Sequence, residues 1–320
     1  MMPTEPADAT CSNLQVAVVI VGYRNPHDIA RCLAALEKST YSNFQVIVCE
    51  NGGEAAFAAL QSMVPTRLIG GQKVMLIKAS QNLGYAGGVN IAMAQSRFAD
   101  AWWILNPDTE PSSGAMAALV TRIAQGCDAV SGPIRFPTGE IQCFGGIWQS
   151  WRARAVVMGY REPGTTEPDV ELIERTQNFL HGASMFVNRT FAAAAGPMDE
   201  RYFLYCEEVD WFLRAAQRGI RLGFAPDALV THYMGTTTGY TKSLRERSGR
   251  SVWLDERNKM LLTRTFFPRR LPIAATVALF RLVWVYSRRR AFQQAAFGIA
   301  GWFVGLLGRS GVPHWARERK

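Results

Sequence analysis

Closely spaced cysteines are missing from this sequence. Its six cysteines lie far apart along the chain, so the paired spacing that is typical of a structural zinc site is not present. Three of them, Cys32, Cys49 and Cys127, fall within apolar stretches and are expected to be small core residues. A reducing cytoplasm is the simplest compartment for such thiols.

A secretory signal is also missing, because the first residues, MMPTEPADATCSN, have no basic start followed by an apolar run. We expect residues 1–14 to form a disordered lead. Charged residues are scarce, at 19% against 48% hydrophobic residues, which excludes an extended disordered protein. A chain of 320 residues is long enough for one large domain and an appendage, since a single core stops growing at about 250–300 residues.

Positive charge is concentrated near the C-terminus. The net charge is +9, but residues 242–320 contain 17 Lys and Arg against 4 Asp and Glu, whereas residues 1–241 contain 18 against 22. The basic residues alternate with apolar runs and form no recognisable nucleic-acid motif. We therefore predict that residues 241–320 form a basic, amphipathic helical region that faces an anionic membrane surface and not nucleic acid.

Two apolar runs in this region, at residues 271–287 and 291–307, are each about 17 residues long, at the lower limit for crossing a bilayer. Arg281 interrupts the first run, and three arginines at 288–290 separate the two, which disfavours clean membrane spans. Peripheral attachment is therefore the preferred interpretation. The alternative is that both helices simply pack on the rest of the protein.

The first half of the chain alternates apolar, β-branched runs with helical patterns. Strands are predicted at residues 16–22, 44–49, 74–78 and 101–105, and helices at 26–38, 54–63 and 88–97. This order is typical of an α/β domain with a mostly parallel sheet, which we place at residues 15–240. Ligands of such sheets bind beyond the carboxyl ends of the strands. The periodicity weakens at residues 134–180, where we expect an acceptor-side insertion.

One candidate metal site follows the predicted strand at 101–105. Asp108, within Asn106-Pro107-Asp108, is expected at the carboxyl edge of the sheet, where a carboxylate can hold a divalent cation beside phosphate oxygens. The alternative is a turn in which Asp108 bonds only nearby backbone amides.

A second candidate, His232, ends a short apolar run and precedes GTTTGYTK, a stretch of hydroxyls and glycine that is suited to binding phosphate. The alternative for His232 is a polar residue at a strand end with no ligand.

Three carboxylates, Glu207, Glu208 and Asp210, lie at the predicted start of a helix. Apolar surface from flanking aromatic residues would raise the pKa of a carboxyl there toward that of a useful general base. The alternative is that these acids only compensate the helix dipole, with Asp210 paired to Arg214 one turn on.

The glycine-rich stretch SQNLGYAGGVN lets a ligand approach the backbone, although a plain tight turn is equally compatible with it. It lacks the GxGxxG spacing of dinucleotide-binding proteins, which argues against a dehydrogenase.

Together these segments resemble the family 2 glycosyltransferases and, within them, the bacterial rhamnosyltransferase-like branch. The resemblance covers roughly residues 16–265, in an ordered series of motifs: VAVVIVGYRNP, VIVCENGG, NLGYAGGVN, WILNPDTEP, HGASMFVNRTFAAAAGPMDERYFLYCEEVDWFLRAAQRG, THYMGTTTG and ERNKMLL. It implies an A-type glycosyltransferase fold, a Rossmann-like and mostly parallel central sheet flanked by helices, with the C-terminal helical region as a membrane-associating appendage.

The resemblance also implies how a nucleotide-diphosphate sugar donor is bound. Tyr23 and Glu50 would line the base pocket, and Glu50 stands where relatives commonly have aspartate. Asn82 and Gly87 would lie near the base or the ribose.

For the metal, the resemblance gives Asp108 the role of the last acid of the family's Asp-x-Asp motif, with Asn106 replacing the first. Because this leaves fewer charged ligands for Mg²⁺ or Mn²⁺, His232 becomes the expected second ligand.

For the reaction, the resemblance implies a single in-line displacement that inverts the anomeric configuration. Glu208 stands where relatives usually carry an aspartate general base, and Glu207 and Asp210 are the substitutes for this role.

The implied activity is transfer of a sugar, L-rhamnose from dTDP-rhamnose as the best guess, to a hydroxyl of a glycan or a polyprenyl-diphosphate-linked glycan precursor in cell-envelope polysaccharide synthesis. The enzyme would work at the cytoplasmic face of the membrane, and the sequence leaves a homo-oligomer open. The alternatives are a UDP-hexose donor such as UDP-galactose or UDP-glucose, a sugar nucleotidyltransferase, or a non-catalytic carbohydrate-binding scaffold. VGYRNPHD lacks the basic, glycine-rich loop of the nucleotidyltransferases, and the retained acids and histidine argue against the scaffold.

Overall fold

The computed structural model describes residues 13–234 and 243–312. The predicted disordered lead lies outside these residues except for its last two positions. The GTTTGYTK stretch, at residues 235–242, also lies outside the described residues.

A seven-stranded sheet forms the centre of the protein. Its strands in spatial order are β12 (Leu222–Phe224), β6 (Ala129–Ser131), β11 (Ser184–Asn188), β4 (Ala101–Leu105), β1 (Val16–Gly22), β2 (Phe44–Glu50) and β3 (Val74–Lys78). β11 is antiparallel to β4 and β6, and the other pairs are parallel. The predicted α/β fold with a mostly parallel sheet is thus confirmed. β1 and β4 are buried at every position, which explains why their sequences are continuously apolar.

Helices cover both faces of this sheet. They are α1 (Pro26–Leu36), α2 (Glu54–Met63), α3 (Gly84–Gln95), α4 (Ala115–Ala124), α5 (Val170–Thr176), α6 (Arg189–Ala195), α7 (Glu207–Ala216), α8 (Gly249–Phe266), α9 (Leu271–Arg288) and α10 (Phe292–Leu306), with short 3₁₀ turns at Leu244–Glu246 and Pro268–Arg270. Successive side chains of a strand point to opposite faces, so Val19 and Trp102 belong to the core on one side of the sheet and Val18 and Trp103 to the core on the other.

The start of α3 differs from the prediction, since the helix begins at Gly84 and not at residue 88. Gly84 has a φ of +74°, and Gly88 lies so close to β1 that an added Cβ would be 2.6 Å from Val21 Cγ1. These glycines are required by conformation and close packing, so the apolar periodicity that marks most helix starts is not present here.

A smaller four-stranded sheet lies at the carboxyl edge of the large one. Its order is β5 (Thr109–Pro111), β13 (Val230–His232), β7 (Ile134–Arg135) and β8 (Ile141–Cys143). β9 (Gly146–Gln149) and β10 (Arg154–Val157) form a separate hairpin. The region 134–180 thus contains short strands and α5, and its role on the acceptor side stays a prediction.

The C-terminal helices pack with one face on the rest of the chain. Ala274, Ala275 and Ala278 of α9 belong to its core, and an added Cβ on Gly301 of α10 would be 2.2 Å from the carbonyl oxygen of Trp253 in α8. The other face of α9 exposes a stripe of large apolar side chains: Ile273, Val277, Phe280 and Trp284. Among the described residues one helix, Pro268–Arg288, is long and apolar enough to cross a membrane by length and composition, with a mean hydropathy of 1.2 and 28% of that window buried.

Candidate active site

Strand pairing brings Asp108 and His232 together. Asp108 lies between β4 and β5, and β13 pairs with β5 in a register that places His232 opposite Thr109. The Tyr233 amide donates to the Asp108 carbonyl at 2.9 Å, and His232 Nε2 lies 3.2 Å from Asp108 Oδ1. Both residues are buried, with 4% of Asp108 and 5% of His232 exposed. Two residues that are distant along the chain therefore face the same space.

Polar side chains surround both ring nitrogens of His232. Gln142 Oε1 lies 3.1 Å from Nδ1, and Nε2 faces Asn106 Nδ2 at 3.4 Å and Asp108 Oδ1 at 3.2 Å. An amide oxygen only accepts, so the Gln142 contact suits a proton on Nδ1. Nε2 is then the ring nitrogen that a cation beside Asp108 could use. A histidine that donates one ring N–H to an oxygen and offers the other nitrogen has the usual arrangement of a metal ligand.

The chemistry of this pair fits a divalent cation shared with a substrate. No cluster of three or more His, Cys, Asp and Glu suited to a metal occurs among the residues that the structure describes. Asp108 and His232 could supply two ligands, with the Asn106 side chain beside them. Mg²⁺ is commonly held by one or two carboxylates, with phosphate oxygens of the substrate completing its shell, and this pair suits that arrangement.

Two carboxylates at the start of α7, those of Glu207 and Glu208, face the same cleft. It has a volume of about 290 Å³, and its lining includes Asn106, Asp108, Glu207, Glu208 and His232. The structure therefore brings the three main candidates, Asp108, Glu208 and His232, to one cleft at the edge of the sheet.

The loop before α7 has an unusual backbone. Phe203, Tyr205 and Cys206 have φ values of +66°, +75° and +68°, in the left-handed region that non-glycine residues rarely adopt. Such conformations persist only where the surroundings hold them. This loop sets where Glu207 and Glu208 begin the helix.

Two fully buried side chains of α8 hold that loop. Asn258 Nδ2 donates to the carbonyl oxygens of Tyr202, Leu204 and Tyr205 at 3.0, 2.8 and 2.8 Å. Arg257 donates to the Tyr202 carbonyl at 3.0 Å. The ERNKMLL segment therefore positions the acidic start of α7, although the sequence analysis assigned no role to Arg257 or Asn258.

Burial changes the protonation of the two glutamates. Loss of solvation raises the pKa of Glu208 to about 7 against the lowering effect of backbone N–H donors. Burial and the neighbouring Glu208 carboxylate raise the pKa of Glu207 well above its ordinary value, and Glu207 Oε2 has no hydrogen-bond partner. Near neutral pH Glu208 is therefore close to half ionised.

Asp210 faces away from the cleft. Its carboxylate accepts from Arg214 Nε at 2.6 Å and from the Tyr202 hydroxyl at 3.3 Å, and its side chain is buried. Asp210 is not among the residues that line the cleft. The Asp210–Arg214 pair given as the alternative is what the structure contains, and as a substitute base Asp210 has the wrong position.

None of the four residues predicted to bind the nucleoside lines this cleft. Tyr23 and Glu50 lie at neighbouring strand ends. Gly22 pairs with Glu50, so Tyr23 follows directly beside Glu50. Glu50 is fully buried, its Oε1 accepts from the Arg24 and Gly52 amides at 3.0 and 2.7 Å, and its Oε2 has no partner.

The other two of the four lie around the start of α3. Asn82 Oδ1 accepts from the Gly84 amide at 3.0 Å, and Gly87 is buried within the helix. Their assignment to the base and ribose stays a prediction.

Sequence reasoning missed three polar residues around the cleft. Tyr85 donates to the Gly182 carbonyl at 2.7 Å, and burial together with Glu207 and Glu208 raises its pKa well above the ordinary value. Burial and the His232 ring lower the pKa of His181 to about 3, which keeps His181 neutral. The third is Gln142. Tyr85 and His181 lie within motifs of the family resemblance, but none of the three has a spacing that marks a site.

Comparison with known proteins gives the family. Residues 13–252 match the family model described as "Glycosyltransferase like family 2". An N-acetylglucosaminyl-diphospho-decaprenol L-rhamnosyltransferase of Mycobacterium tuberculosis is 30% identical over 69% of this chain and 77% of its own length. The galactofuranosyltransferase GlfT1 of the same organism is 27% identical over 69% and 71%.

Solved structures show the same fold. GalNAc-T7 with UDP, GalNAc and Mn²⁺ superimposes with a TM-score of 0.61 at 14% identity, over 92% of this chain and 56% of that chain, so the present chain spans little more than half of it. The mannosyltransferase PcManGT of Pyrobaculum calidifontis, with GDP-Man and Mn²⁺, gives 0.55 at 16% identity over 94% and 90%. The predicted A-type glycosyltransferase fold is confirmed, and with three quarters of its length matched the chain belongs to the family 2 glycosyltransferases, in their rhamnosyltransferase-like branch.

Proposed function

We propose that this glycosyltransferase transfers L-rhamnose from dTDP-rhamnose to a hydroxyl of a lipid-linked glycan precursor, with inversion at the anomeric carbon. The observation that carries the proposal is the meeting of Asp108, His232 and Glu208 in one cleft. The mycobacterial relative, an N-acetylglucosaminyl-diphospho-decaprenol L-rhamnosyltransferase, supports the donor sugar and the diphosphate-lipid acceptor.

Asp108 and His232 would hold Mg²⁺ or Mn²⁺, which when bound neutralises the charge that develops on the departing diphosphate. The Asp108 carboxylate and Nε2 of His232 both face the cleft, and Gln142 Oε1 lies where it would accept from Nδ1–H and orient the ring for ligation through Nε2. Two Mn²⁺-containing glycosyltransferases share the fold, which supports the choice of metal.

Glu208 is proposed as the general base. Its carboxylate takes the proton of the acceptor hydroxyl while that oxygen bonds to the anomeric carbon, and the bond from this carbon to the diphosphate breaks. A pKa of about 7 suits a base that works near neutral pH. Burial and the neighbouring Glu208 carboxylate disfavour ionisation of Glu207, so the role of base is given to Glu208.

Glu50 is proposed to read the nucleotide base. Its buried Oε2 has no partner within the protein, and a buried carboxylate oxygen is costly unless it accepts a hydrogen bond. An imide N–H, which thymine and uracil both carry, would supply one. Tyr23 lies next to it and offers a ring face, with the Arg24 guanidinium 5.2 Å from the ring centre.

The chain is proposed to work on the cytoplasmic membrane surface. The exposed apolar stripe of α9 suits burial in the headgroup region, and arginines at both ends of that helix suit anionic lipids. Arg281 lies within the helix and favours a surface position over a span.

A UDP-hexose is the second candidate donor, because a galactofuranosyltransferase is also a relative. A thermal-shift panel of dTDP-rhamnose, UDP-galactose, UDP-glucose and the free nucleotides, with Mn²⁺ or EDTA, separates them, since a ligand that binds only the folded state raises the Tm. The proposal expects the largest metal-dependent rise with dTDP-rhamnose. A larger rise with a UDP-hexose would overturn the donor assignment.

A further inference from the structure

A second cleft lies beside the active site, between the β9–β10 hairpin, α8 and α9. Its volume is about 330 Å³, and Arg247 lines both clefts. The charged residues around it are Arg152, Arg154, Arg247, Asp255, Glu256, Lys259 and Arg281. Five of these seven are basic, so the lining has an excess of positive charge.

The two acids of this cleft already have partners. Lys259 Nζ lies 3.0 Å from Asp255 Oδ2 and 2.9 Å from Glu256 Oε1. Arg247 Nη2 lies 3.7 Å from the same Asp255 oxygen. Lys259 is the main compensating charge of both acids, and Arg247 and Arg281 add to it. Five basic side chains face these two acids, so the remaining basic side chains of the cleft leave an excess of positive charge.

These remaining side chains are Arg152, Arg154 and Arg281. Within residues 13–234 and 243–312 none of the three has a hydrogen bond or an ion pair. Burial, and then the guanidinium groups of Arg281 and Arg152, lower the pKa of Arg154. Like charges held this close repel each other, and an anion that binds between them removes the repulsion.

The location of the cleft indicates what kind of anion it suits. On one side Arg247 leads to the cleft of Glu208. On the other side, Arg281 lies on α9 next to Phe280 and near Trp284, which are 73% and 57% exposed. A ligand that spans these features has a hydroxyl-bearing head, a charged middle and an apolar chain.

We propose that Arg152, Arg154 and Arg281 bind the diphosphate group of a lipid-linked acceptor, which directs the acceptor sugar toward Glu208 and its lipid chain along α9. Guanidinium groups match phosphate oxygens with paired hydrogen bonds. This inference rests on the proposed function and adds to it the site at which the acceptor is held.

The test measures binding without transfer. Farnesyl diphosphate and inorganic pyrophosphate are titrated calorimetrically into the full chain in EDTA, which prevents metal-dependent binding of diphosphate at Asp108 and His232. The same titrations are made with R154Q/R281Q and with R97Q/R218Q, a pair that removes equal charge from exposed positions outside the cleft and away from α9.

We expect R154Q/R281Q to bind farnesyl diphosphate at least about tenfold more weakly than the wild type, since each variant side chain loses a charge-assisted hydrogen bond. R97Q/R218Q should bind as the wild type does. An unchanged affinity in R154Q/R281Q, or an equal loss in both pairs, would overturn the proposal. Farnesyl diphosphate should also bind more tightly than pyrophosphate, and equal affinities would overturn the lipid assignment in favour of a free diphosphate.

A donor-side measurement separates this inference from the proposed function. The Mn²⁺-dependent rise in Tm with dTDP-rhamnose should be the same in R154Q/R281Q and in the wild type. If the wild type shows no such rise with any nucleotide sugar while farnesyl diphosphate binding still depends on the two arginines, the transfer activity is wrong and the diphosphate site stands.

Discussion

Nε2 of His232 lies 3.2 Å from Oδ1 of Asp108, and the pairing of β13 with β5 fixes this distance. Gln142 holds the other ring nitrogen at 3.1 Å. The two proposed ligands are thus oriented by the protein itself before a cation binds, so the loss of either the ligands or their support should be measurable in metal affinity.

Replacing the proposed ligands should abolish metal-dependent nucleotide binding. D108A and H232A each remove one of two protein ligands, and we expect the Mn²⁺-dependent rise in Tm with nucleotide diphosphate to disappear in both. Q142L removes only the group that orients His232, so Mn²⁺ affinity should fall about 10–100-fold. D227A, an exposed aspartate outside the cleft, is the control and should bind normally.

The pH dependence of transfer should follow Glu208. A base works in its ionised form, and the pKa of Glu208 is raised to about 7. The rate at saturating substrates should therefore rise with pH through about 7 and level off above it. A rate that is flat between pH 5.5 and 8.5 would contradict the assignment.

Asn258 should matter for turnover although it lies outside the cleft. N258A removes three hydrogen bonds to the strained loop, so we expect a loss of about 2 kcal/mol in unfolding free energy and a lower kcat with little change in the donor KM. N90A is the matched control, because Asn90 holds the Met198 backbone in the same way away from the acids. A kcat loss of equal size in N90A would show that Asn258 contributes only stability.

Asp210 should contribute to stability and not to chemistry. Its carboxylate is buried and paired with Arg214, so D210N should lower the unfolding free energy by about 2–3 kcal/mol. Below the melting transition the kcat should stay close to that of the wild type. Denaturant unfolding and initial rates measure the two quantities separately.

The sequence predicted those parts of the protein that rest on local periodicity. β1 and β4 are continuous apolar runs, and the first helix begins at Pro26 as the N-terminal proline indicates. Asp108 and Glu208 could be chosen as candidate site residues because a polar residue that follows a buried strand or begins a helix can be recognised from the neighbouring sequence.

The remainder depends on contacts between distant segments. Asn258 reaches a loop that precedes it by more than fifty residues, and Gln142 reaches His232 from another strand. No spacing within the sequence marks such contacts. The predicted start of α3 was wrong because close packing of glycine against β1 replaces the usual apolar pattern.

The most direct test of the account compares E208Q with E207Q in a single-turnover transfer assay from dTDP-rhamnose to a polyprenyl-diphosphate-linked acceptor. Both variants should keep the metal-dependent donor shift. E208Q should be slower by about 10²–10⁴-fold, because it loses the base, whereas E207Q should retain most of the rate, since the account assigns proton transfer to Glu208 and burial disfavours ionisation of Glu207. Wild-type transfer by E208Q, or a larger loss in E207Q, would contradict the account.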